Sequence, residues 1–410
     1  MTVKIFIKLA FRNILRNKRR TLIAGTAIGI GLACLIFADA YMLGMEKNMI
    51  RSATASFLGE GQIHHAGFRE TLEVEKTIVG LDEITERLEQ EPSVEQFAQR
   101  ILTMSMISSP ANVQSATMVG VDPSSEVYLS QIDEALIEGE YFQGDSPRDI
   151  LIGFKLAEIL EVELGDRVVL TAAQAHSGDL AQELFRISGI FRFHVNEMDR
   201  GMVFIRLPKA QEMLALDRSV HEIAIKFNDP GIGRDRSDSI WAAYSSDENE
   251  AVGWVELLPQ MEAVFELSKF SMVVMGLIIF AVVALGIINT LFMSLYERMY
   301  EFGVLRAIGT RPFNLGRLVV FEACALALIS IALGLVIGSV VSYIFTIRGW
   351  DLTGIEFSGV TFREPLYAIM RLEQYIIYPI WVFIITTLIS LYPATFAAKL
   401  TPAKAMRKSF

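Results

Sequence analysis

The sequence predicts a membrane protein with four transmembrane α-helices and a large α+β extracytoplasmic domain between the first and the second. Hydrophobic residues make up 52% of the 410 residues. They concentrate in four runs, each long enough to cross a bilayer, which takes roughly 20 apolar residues. The polar segment between the first two runs, residues 46–266, is long enough to bury a core of its own.

The segment boundaries follow from the alternation of charged and apolar stretches. In chain order, the segments are a cytoplasmic-face helix at 1–20, the first span at 21–45, the periplasmic domain at 46–266, the second span at 267–295, a short amphipathic linker helix at 296–312, the third span at 313–347, a periplasmic loop at 348–374, the fourth span at 375–398 and a cytoplasmic tail at 399–410. An even number of spans returns both termini to the same side of the membrane.

The N-terminal stretch "KIFIKLAFRNILRNKRR" places bases and apolar residues at helical spacing. This pattern predicts an amphipathic helix that lies on the inner leaflet with its bases toward anionic lipid. The alternative is a positively charged anchor without a defined helix.

Lysine and arginine set the predicted orientation, because they accumulate in the cytoplasmic segments near the ends of spans. They dominate both termini, whereas acidic residues outnumber them in 46–266. We therefore expect both termini and the 296–312 linker in the cytoplasm, and the large domain outside. The net charge of −10 argues against nucleic acid as a partner.

Small residues at four-residue spacing predict close packing between two of the spans. The pairs are Gly25 with Gly29 in the first run and Gly334 with Gly338 in the third. The alternative is a chance arrangement in membrane helices that tolerate glycine.

Two acidic residues, Asp39 and Glu322, lie within apolar runs. A proton or ion site is one interpretation of an acid at such a position. Because no chain of further polar residues accompanies them, we favour a structural role, either a hydrogen bond to a neighbouring helix or access to water near the interface.

The sequence contains no pattern that predicts catalysis. A phosphate-binding loop of the form G-x-x-x-x-G-K-[ST] is absent, so we do not expect the chain to hydrolyse ATP itself. No grouping of cysteine, histidine or carboxylate has a recognisable zinc spacing. The prediction is a non-enzymatic chain that binds no cofactor or metal of its own.

Within 46–266, predicted strands and helices alternate irregularly, which is typical of the α+β class. The stretch "RDILIGFKLAEILEVELGDRVVL" shows the pattern. It predicts a strand, a helix at 154–160 and, after a Gly-Asp turn, a second strand.

The linker "YERMYEFGVLRAIGTRP" combines charge with a helical period. Met299, Phe302, Leu305 and Ile308 recur at three-residue steps, with charged residues elsewhere on the helix and Pro312 as a stop signal. A helix between two spans transmits force if a cytoplasmic partner binds it, with the apolar residues as anchors inside a polar rim. The alternative is a solvated loop that only reverses the chain.

These residues resemble the MacB/FtsX-type family of ABC transporter permeases, and within it the lipoprotein-releasing permeases LolC and LolE. "NTLFMSLYERMYEFGVLRAIGTRP" is similar to the family's coupling helix and its approach. "LAFRNILRNKRRTLIAGTAIGIG" resembles the entry into the first span, and "YPATFAAKLTPAKAMR" the closing motif. "MVGVDP", "LIEGEYF" and "ISGIF" resemble parts of the periplasmic core domain.

The resemblance implies a complex of two permeases and two ABC ATPase subunits in a bacterial inner membrane. The second permease is another copy of this chain or a paralogue, and ATP and Mg belong to the partner ATPase. The coupling residues implied are Glu297, Arg298, Met299, Glu301, Phe302, Leu305, Arg306 and Arg311. ATP-driven motion would pass through them to the periplasmic domain by mechanotransmission.

For cargo, the resemblance implies extraction of lipoproteins or a related lipidated substrate from the inner membrane, with a periplasmic carrier or adaptor as a further partner. An apolar cavity for acyl chains would be lined by Met42, Met45, Phe270, Met272 and Met275. Two alternatives are a MacB-like efflux permease for periplasmic peptides or small molecules, and an FtsX-like regulator of a periplasmic hydrolase that transports nothing.

Overall fold

The computed structural model of the chain describes residues 9–10, 12–13, 16, 18–142, 146–352, 356–357, 360–361 and 365–401. The residues group into two compact units. The helical unit draws on Met1–Glu46, Phe265–Asp351 and Pro365–Phe410, and the sheet unit on Lys47–Val264 and Leu352–Glu364.

The described helices follow one another along the chain as α1 (Lys18–Ala53), α2 (Phe68–Thr71), α3 (Leu81–Glu89), α4 (Pro123–Glu126), α5 (Phe154–Leu160), α6 (Asn196–Gly201), α7 (Leu207–Leu214), α8 (Ser239–Tyr244), α9 (Trp254–Leu257), α10 (Pro259–Glu297), α11 (Met299–Ala307), α12 (Pro312–Arg348) and α13 (Gln374–Ala398). A π-helical turn at Thr54–Leu58 follows α1, and a 3-10 turn lies at Ile232–Arg234.

Four of the described helices, α1, α10, α12 and α13, are apolar and long enough to cross a membrane. This agrees with the predicted membrane class. The residues at the two ends of α12 explain why the helix begins and ends there. Pro312 occupies the first turn, where its missing N–H is no loss, and Gly349 follows the helix with a φ of 66° that favours glycine.

Helices α1 and α12 approach closely through the predicted small residues. A Cβ atom added at Gly334 would lie 2.7 Å from the carbonyl oxygen of Gly29, and one at Gly338 would lie 3.2 Å from the Cα of Ala33. Larger side chains would force the two backbones apart, so glycine permits this packing.

The described strands are β1 (Gly61–His65), β2 (Val94–Ser108), β3 (Val113–Val121), β4 (Leu136–Gly139), β5 (Asp149–Gly153), β6 (Arg167–Ala173), β7 (Leu180–Phe191), β8 (Met202–Arg206), β9 (Glu222–Phe227), β10 (Asn249–Gly253), β11 (Glu356–Phe357) and β12 (Val360–Thr361). The first ten form one mixed sheet in the order β10-β1-β9-β2-β3-β8-β5-β7-β4, with β6 paired to both β2 and β7.

Because β6 joins β2 to β7, six strands close into a ring, β2-β3-β8-β5-β7-β6. Strand β2 is long enough to serve two neighbours. Its first half pairs with β9 and its second half with β3 and β6. Strands β3 and β8, and β5 and β7, run parallel, and the other pairs in the ring are antiparallel. The α+β class is confirmed.

The burial of each strand reflects its sequence. The whole of β5, "DILIG", is buried and reads as a nearly continuous apolar run, whereas β6, "RVVLTAA", alternates buried and more exposed positions. The helix predicted at 154–160 is confirmed with both ends unchanged.

Two predicted boundaries differ from the structure. Helix α1 continues to Ala53, past the predicted end of the first span at residue 45, because "EKNMIRSA" keeps good helix formers after the apolar run has ended. The 296–312 linker is not one helix: α10 ends at Glu297, the separate helix α11 ends at Ala307, and Gly309 turns the chain with a φ of 95°.

The predicted amphipathic helix at 1–20 falls largely outside the described residues. Those that the structure does describe, 9–10, 12–13, 16 and 18–20, have helical backbone. The cytoplasmic tail at 399–410 also lies outside the described residues beyond position 401.

Candidate functional site

The candidate site is the linker between α10 and α12, and it has two faces. The inner face is covered by the helical unit itself. Phe302 is 1% exposed and belongs to a buried cluster with residues of α10, α12 and α13. Met299 and Leu305 pack, partly buried, against the same cluster, whose buried members are Leu295, Phe302, Leu315, Leu318, Val319, Ala394, Ala397 and Leu400.

This packing corrects the predicted apolar anchors. Phe302 and Arg298 are buried inside the helical unit, so neither is available to a partner protein. The three-residue period marks one apolar face at Met299, Phe302 and Leu305 but fails at Ile308, and a period does not say whether a partner or the chain's own core covers a face. Here the chain's own α12 and α13 cover it.

A network of charged groups, the linker ion-pair network, consists of Arg16, Arg298, Glu301 and Glu322. Arg298 donates from Nη1 to Oε1 of Glu322 at 2.5 Å and from Nε to Oε2 of Glu301 at 3.0 Å. Arg16 donates to the other oxygen of Glu301 at 3.0 Å. Glu322 also accepts a hydrogen bond from Asn13 at 2.6 Å. The network therefore ties the linker to α12 and to the N-terminal segment.

The electrostatics of this network favour its charged state. Burial on its own would lower the pKa of Arg298, but Glu322 and Glu301 outweigh that effect and the pKa is raised. Burial would raise the pKa of Glu301, but hydrogen bonds from Arg298 and Arg16 outweigh it and the pKa is lowered. Both shifts keep the pairs ionised at neutral pH.

The outer face of the linker exposes large apolar side chains. Ile308 is 74% exposed and Phe313 is 69% exposed, and Tyr300 and Val304 are exposed beside them in sequence. Clustered exposed apolar groups with charged neighbours are typical of protein-binding surfaces. We call Tyr300, Val304, Ile308 and Phe313 the linker outer face.

The remaining predicted coupling residues lie at the ends of helices. Glu297 is the last residue of α10, and Arg311 directly precedes the first turn of α12. Arg306 donates to the carbonyl oxygen of Thr310 at 3.1 Å and so stabilises the turn after α11. The structure thus brings the predicted set together around one linker, while dividing it between an inner face, an outer face and the caps.

The predicted cavity residues do not surround a described cavity. Met42, Met45, Met272 and Met275 are half-buried, and Phe270 is exposed. A cavity in the sheet unit is lined by other residues. The acyl-chain role of these five residues stays a prediction.

Both acids within apolar runs have polar partners on other segments. Glu322 is held by Arg298 and Asn13, as above, and Asp39 is hydrogen-bonded to Tyr378 of α13. This agrees with the hydrogen-bond interpretation of each acid. Among the described residues, no group of three or more histidine, cysteine or acidic side chains could hold a metal ion.

Sequence reasoning missed Asn13 and most of the linker outer face. A useful signal was the pairing of charges, since a lone acid inside α12 needs a nearby base and the linker offers several. Another signal was the aromatic and branched residues Tyr300, Val304 and Phe313, which lie off the predicted apolar stripe.

Models of two known protein families match parts of this chain. The model of the MacB-like periplasmic core domain matches residues 21–231, more than half of the chain, and the model of the FtsX-like permease C-terminal region matches residues 273–402. The first match covers most of the sheet unit, and the second covers the region that contains the linker. The chain belongs to the MacB/FtsX-like family of ABC transporter permeases.

Among curated proteins, the chain is similar to the lipoprotein-releasing system transmembrane protein LolC of Neisseria meningitidis, with 22% identity over 96% of this chain and 97% of that protein. It is similar to LolC of Xylella fastidiosa, with 24% identity over 72% of this chain and 73% of that protein. It is also similar to the corresponding protein LolE of Haemophilus influenzae, with 22% identity over 93% of each chain.

Among solved structures, the chain is similar to the extracellular domain of the noncanonic ABC-type transporter YknZ from Gram-positive bacteria. The identity is 12%, the match covers 47% of this chain and 98% of that one, and the TM-score is 0.33. It is also similar to the periplasmic region of MacB from Actinobacillus actinomycetemcomitans, with 10% identity, 49% and 92% coverage, and a TM-score of 0.34.

Proposed function

We propose that this chain is the permease subunit of an ABC transporter in which a separate ATPase drives motion of the periplasmic domain. The observation that carries the proposal is the linker, which has one face held inside the helical unit and the other exposed. A non-catalytic permease needs such an element, because it must receive work from another subunit without hydrolysing nucleotide. Two ATPase subunits, carrying ATP and Mg, would bind two permeases, either two copies of this chain or this chain and a paralogue.

In this mechanism the ATPase binds the linker outer face. Ile308 and Phe313 provide apolar contact area, with charged residues of the linker around them. The linker ion-pair network and Phe302 then resist separation of α11 from α12, so a force on the outer face displaces α12 as well. This arrangement requires both termini and the linker to lie in the cytoplasm of a bacterial inner membrane, and the sheet unit to lie in the periplasm.

The cargo we propose is a lipoprotein or a related lipidated substrate. Support comes from the curated relatives, which are named as parts of lipoprotein-releasing systems. Moving acyl chains from a bilayer into water costs about 0.8 kcal/mol per CH₂ group, so extraction requires an energy source and a sheltered path. A periplasmic carrier or adaptor would receive the cargo.

The linker outer face can be tested by Ile308→Ser in the purified complex with its ATPase. We expect release of a lipid-anchored cargo from proteoliposomes to fall about tenfold, because losing one well-packed apolar anchor at an interface costs more than about 1 kcal/mol. The matched control is Leu372→Ser, an equally exposed side chain outside the linker, which should leave release unchanged. Equal release by the two variants would contradict the coupling role.

The identity of the cargo needs a separate experiment. The complex, purified from native membranes, should contain an ATPase and a triacylated protein detectable by mass spectrometry. Copurification of a periplasmic adaptor without lipidated protein would favour efflux instead, and a bound cell-wall hydrolase would favour regulation.

The orientation can be tested with a single cysteine at Ile308, which should react with membrane-impermeant maleimide only from the cytoplasmic side. Labelling from outside would refute the mechanism.

A further inference from the structure

A cavity of about 370 Å³ opens within the sheet unit. Its volume falls within the range of small-ligand sites. The lining comes from the last turns of α1, the segment leading into β4, and the residues after β7. The lining residues are Asn48, Arg51, Ser52, Gln131, Glu134, Ala135, Leu136, Ile137, Arg192 and His194.

Arg192 is the most informative lining residue. Its guanidinium carbon lies 3.9 Å from the centre of the Phe154 ring, so the planar group is stacked and held in one orientation. Its Nε atom is buried and has no hydrogen-bond partner among the described residues. The backbone is fixed as well, because the Arg192 N–H donates to the carbonyl oxygen of Ala135 at 2.8 Å.

An oriented guanidinium with an unsatisfied buried N–H group is unusual in a folded protein. Buried donors are nearly always paired, and leaving one unpaired is destabilising. An anion in the adjoining cavity would supply the missing acceptor. Here the stacking is already complete, so binding would require little further ordering of the side chain.

The charge around the cavity supports an anionic ligand. Two arginines and a histidine line this space in a unit whose acidic residues outnumber its basic ones, and Glu134 is the acidic residue in the lining. His194 has a left-handed backbone with a φ of 58°, a conformation that is unfavourable for non-glycine residues. Such conformations occur disproportionately at ligand sites.

The position of the cavity along the chain indicates which anions can reach it. Asn48, Arg51 and Ser52 lie in the last two turns of α1. At 1.5 Å per residue, Ser52 is about 10 Å along the helix from the end of the apolar run at residue 45, slightly more than the roughly 5–8 Å depth of a headgroup layer. A lipid phosphate is therefore within reach, and so is phosphate from solution.

We propose that this cavity is a binding site for a phosphate group, with Arg192 as its principal ligand. Phosphate suits the lining better than a carboxylate. It presents oxygens to a guanidinium in bidentate geometry and still has oxygens for the other donors around it. The site is separate from the linker, so it does not depend on the coupling mechanism proposed above.

The test uses the full chain in detergent, without ATP or ATPase, and measures binding by titration calorimetry. The two probes are inorganic phosphate and dihexanoyl phosphatidylglycerol below its micelle concentration. Arg192→Gln should weaken binding about tenfold, the loss of one charge-assisted contact. Arg192→Lys should weaken binding less, because lysine keeps the positive charge and loses only the bidentate geometry of the guanidinium. Glu134→Gln should tighten binding by removing repulsion.

Arg218→Gln is the matched control, since Arg218 is exposed and does not line the cavity. Binding of both probes would identify phosphate itself as the ligand, and binding of the lipid alone would identify a headgroup. Either result, with the expected order of variants, supports the site. The proposal is overturned if neither probe binds saturably, if Arg192→Gln and Arg218→Gln bind alike, or if acetate binds as tightly as phosphate. If Arg192→Gln does not fold, the opposite effects of Arg192→Lys and Glu134→Gln decide the question.

Discussion

Each unit contains a buried arginine held by carboxylates, and the two clusters differ in how far they are sealed from water. In the sheet unit, Arg100 is fully buried, with Glu126 at 2.6 Å and Glu222 at 3.0 Å. The ring of Phe57 lies 4.0 Å from the guanidinium. In the helical unit, Arg298 and Glu322 are also buried, but the network continues outward to half-exposed Arg16 and Glu301.

How far each charged cluster is sealed from water determines whether its ion pairs can exchange partners. A fully buried cluster cannot exchange its partners for water without opening the core, so the Arg100 cluster fixes the sheet unit in one state. A network with one exposed end can exchange that end at little cost, because exposed ion pairs contribute only about 0–1 kcal/mol. The linker is therefore firmly attached at Glu322 and adjustable at Arg16, which is compatible with the coupling role proposed above.

The balance of charge also differs. Two carboxyl groups face the single guanidinium of Arg100, whereas two bases and two acids meet in the linker ion-pair network. Removing one carboxyl group therefore balances the charge around Arg100, whereas it leaves an excess positive charge in the linker ion-pair network.

Arg100→Met should be the most destabilising change. It leaves the carboxyl groups of Glu126 and Glu222 buried without a cation, and breaking a buried ion pair in this way costs about 3–5 kcal/mol. The measurement is urea unfolding followed by tryptophan fluorescence, with exposed Arg218→Met as the control. A loss no greater than that of the control would show that the cluster contributes little to stability.

Glu322→Gln should destabilise the protein more than Glu222→Gln. The first change leaves the buried Arg298 with one carboxylate in place of two, which we expect to cost about 2 kcal/mol. The second leaves Arg100 paired with Glu126, which still provides two hydrogen bonds. Thermal unfolding of both variants in the same detergent gives the comparison, and the reverse order would invalidate the charge-balance argument.

Mild acid should affect the sheet unit before the linker. Burial lowers the pKa of His221 and of His64 below the usual 6.5, and hydrogen bonds only partly oppose it. The unfolded chain then binds more protons than the folded one. The stability from neutral His221 is therefore fully present above about pH 6.5 and declines as pH falls, by at most about 1.4 kcal/mol per pH unit. Glu301, whose pKa is lowered from 4.5, keeps its contribution until the pH falls below that value.

The histidine effect can be measured from the thermal midpoint between pH 7.5 and 5.5. His221 accepts from the Leu102 N–H at 3.1 Å and bonds the Val74 carbonyl at 2.9 Å, which requires the neutral ring. His221→Gln should flatten the pH dependence, while exposed His176→Gln should preserve it. An unchanged slope in His221→Gln would assign the acid sensitivity to other groups.

Local patterns predicted the elements well where each element depends on its own residues. The helix at 154–160 and the four long apolar helices follow from hydropathy and turn signals alone. The linker was recognised as amphipathic from its period. The glycines of α1 and α12 were identified from their spacing, and the structure places Gly29 against Gly334.

Features that depend on contacts between distant residues could not be predicted from local sequence patterns. The closure of the six-stranded ring depends on β6 pairing with β2, which the chain reaches only after several intervening elements. The contact of Arg298 with Glu322 depends on the Gly309 turn that folds α12 back against the linker. The stacking of Arg192 on Phe154 likewise joins the end of β7 to the start of α5.

The sequence by itself determined the class of the molecule: apolar runs must avoid water, and a polar segment of this length must bury its own core. Tertiary structure alone decided which side of the linker helix faces inward, with Phe302 covered and Ile308 exposed. The physical reason is that amphipathicity fixes the angle between two faces of a helix, while only the neighbouring helices determine which face they cover.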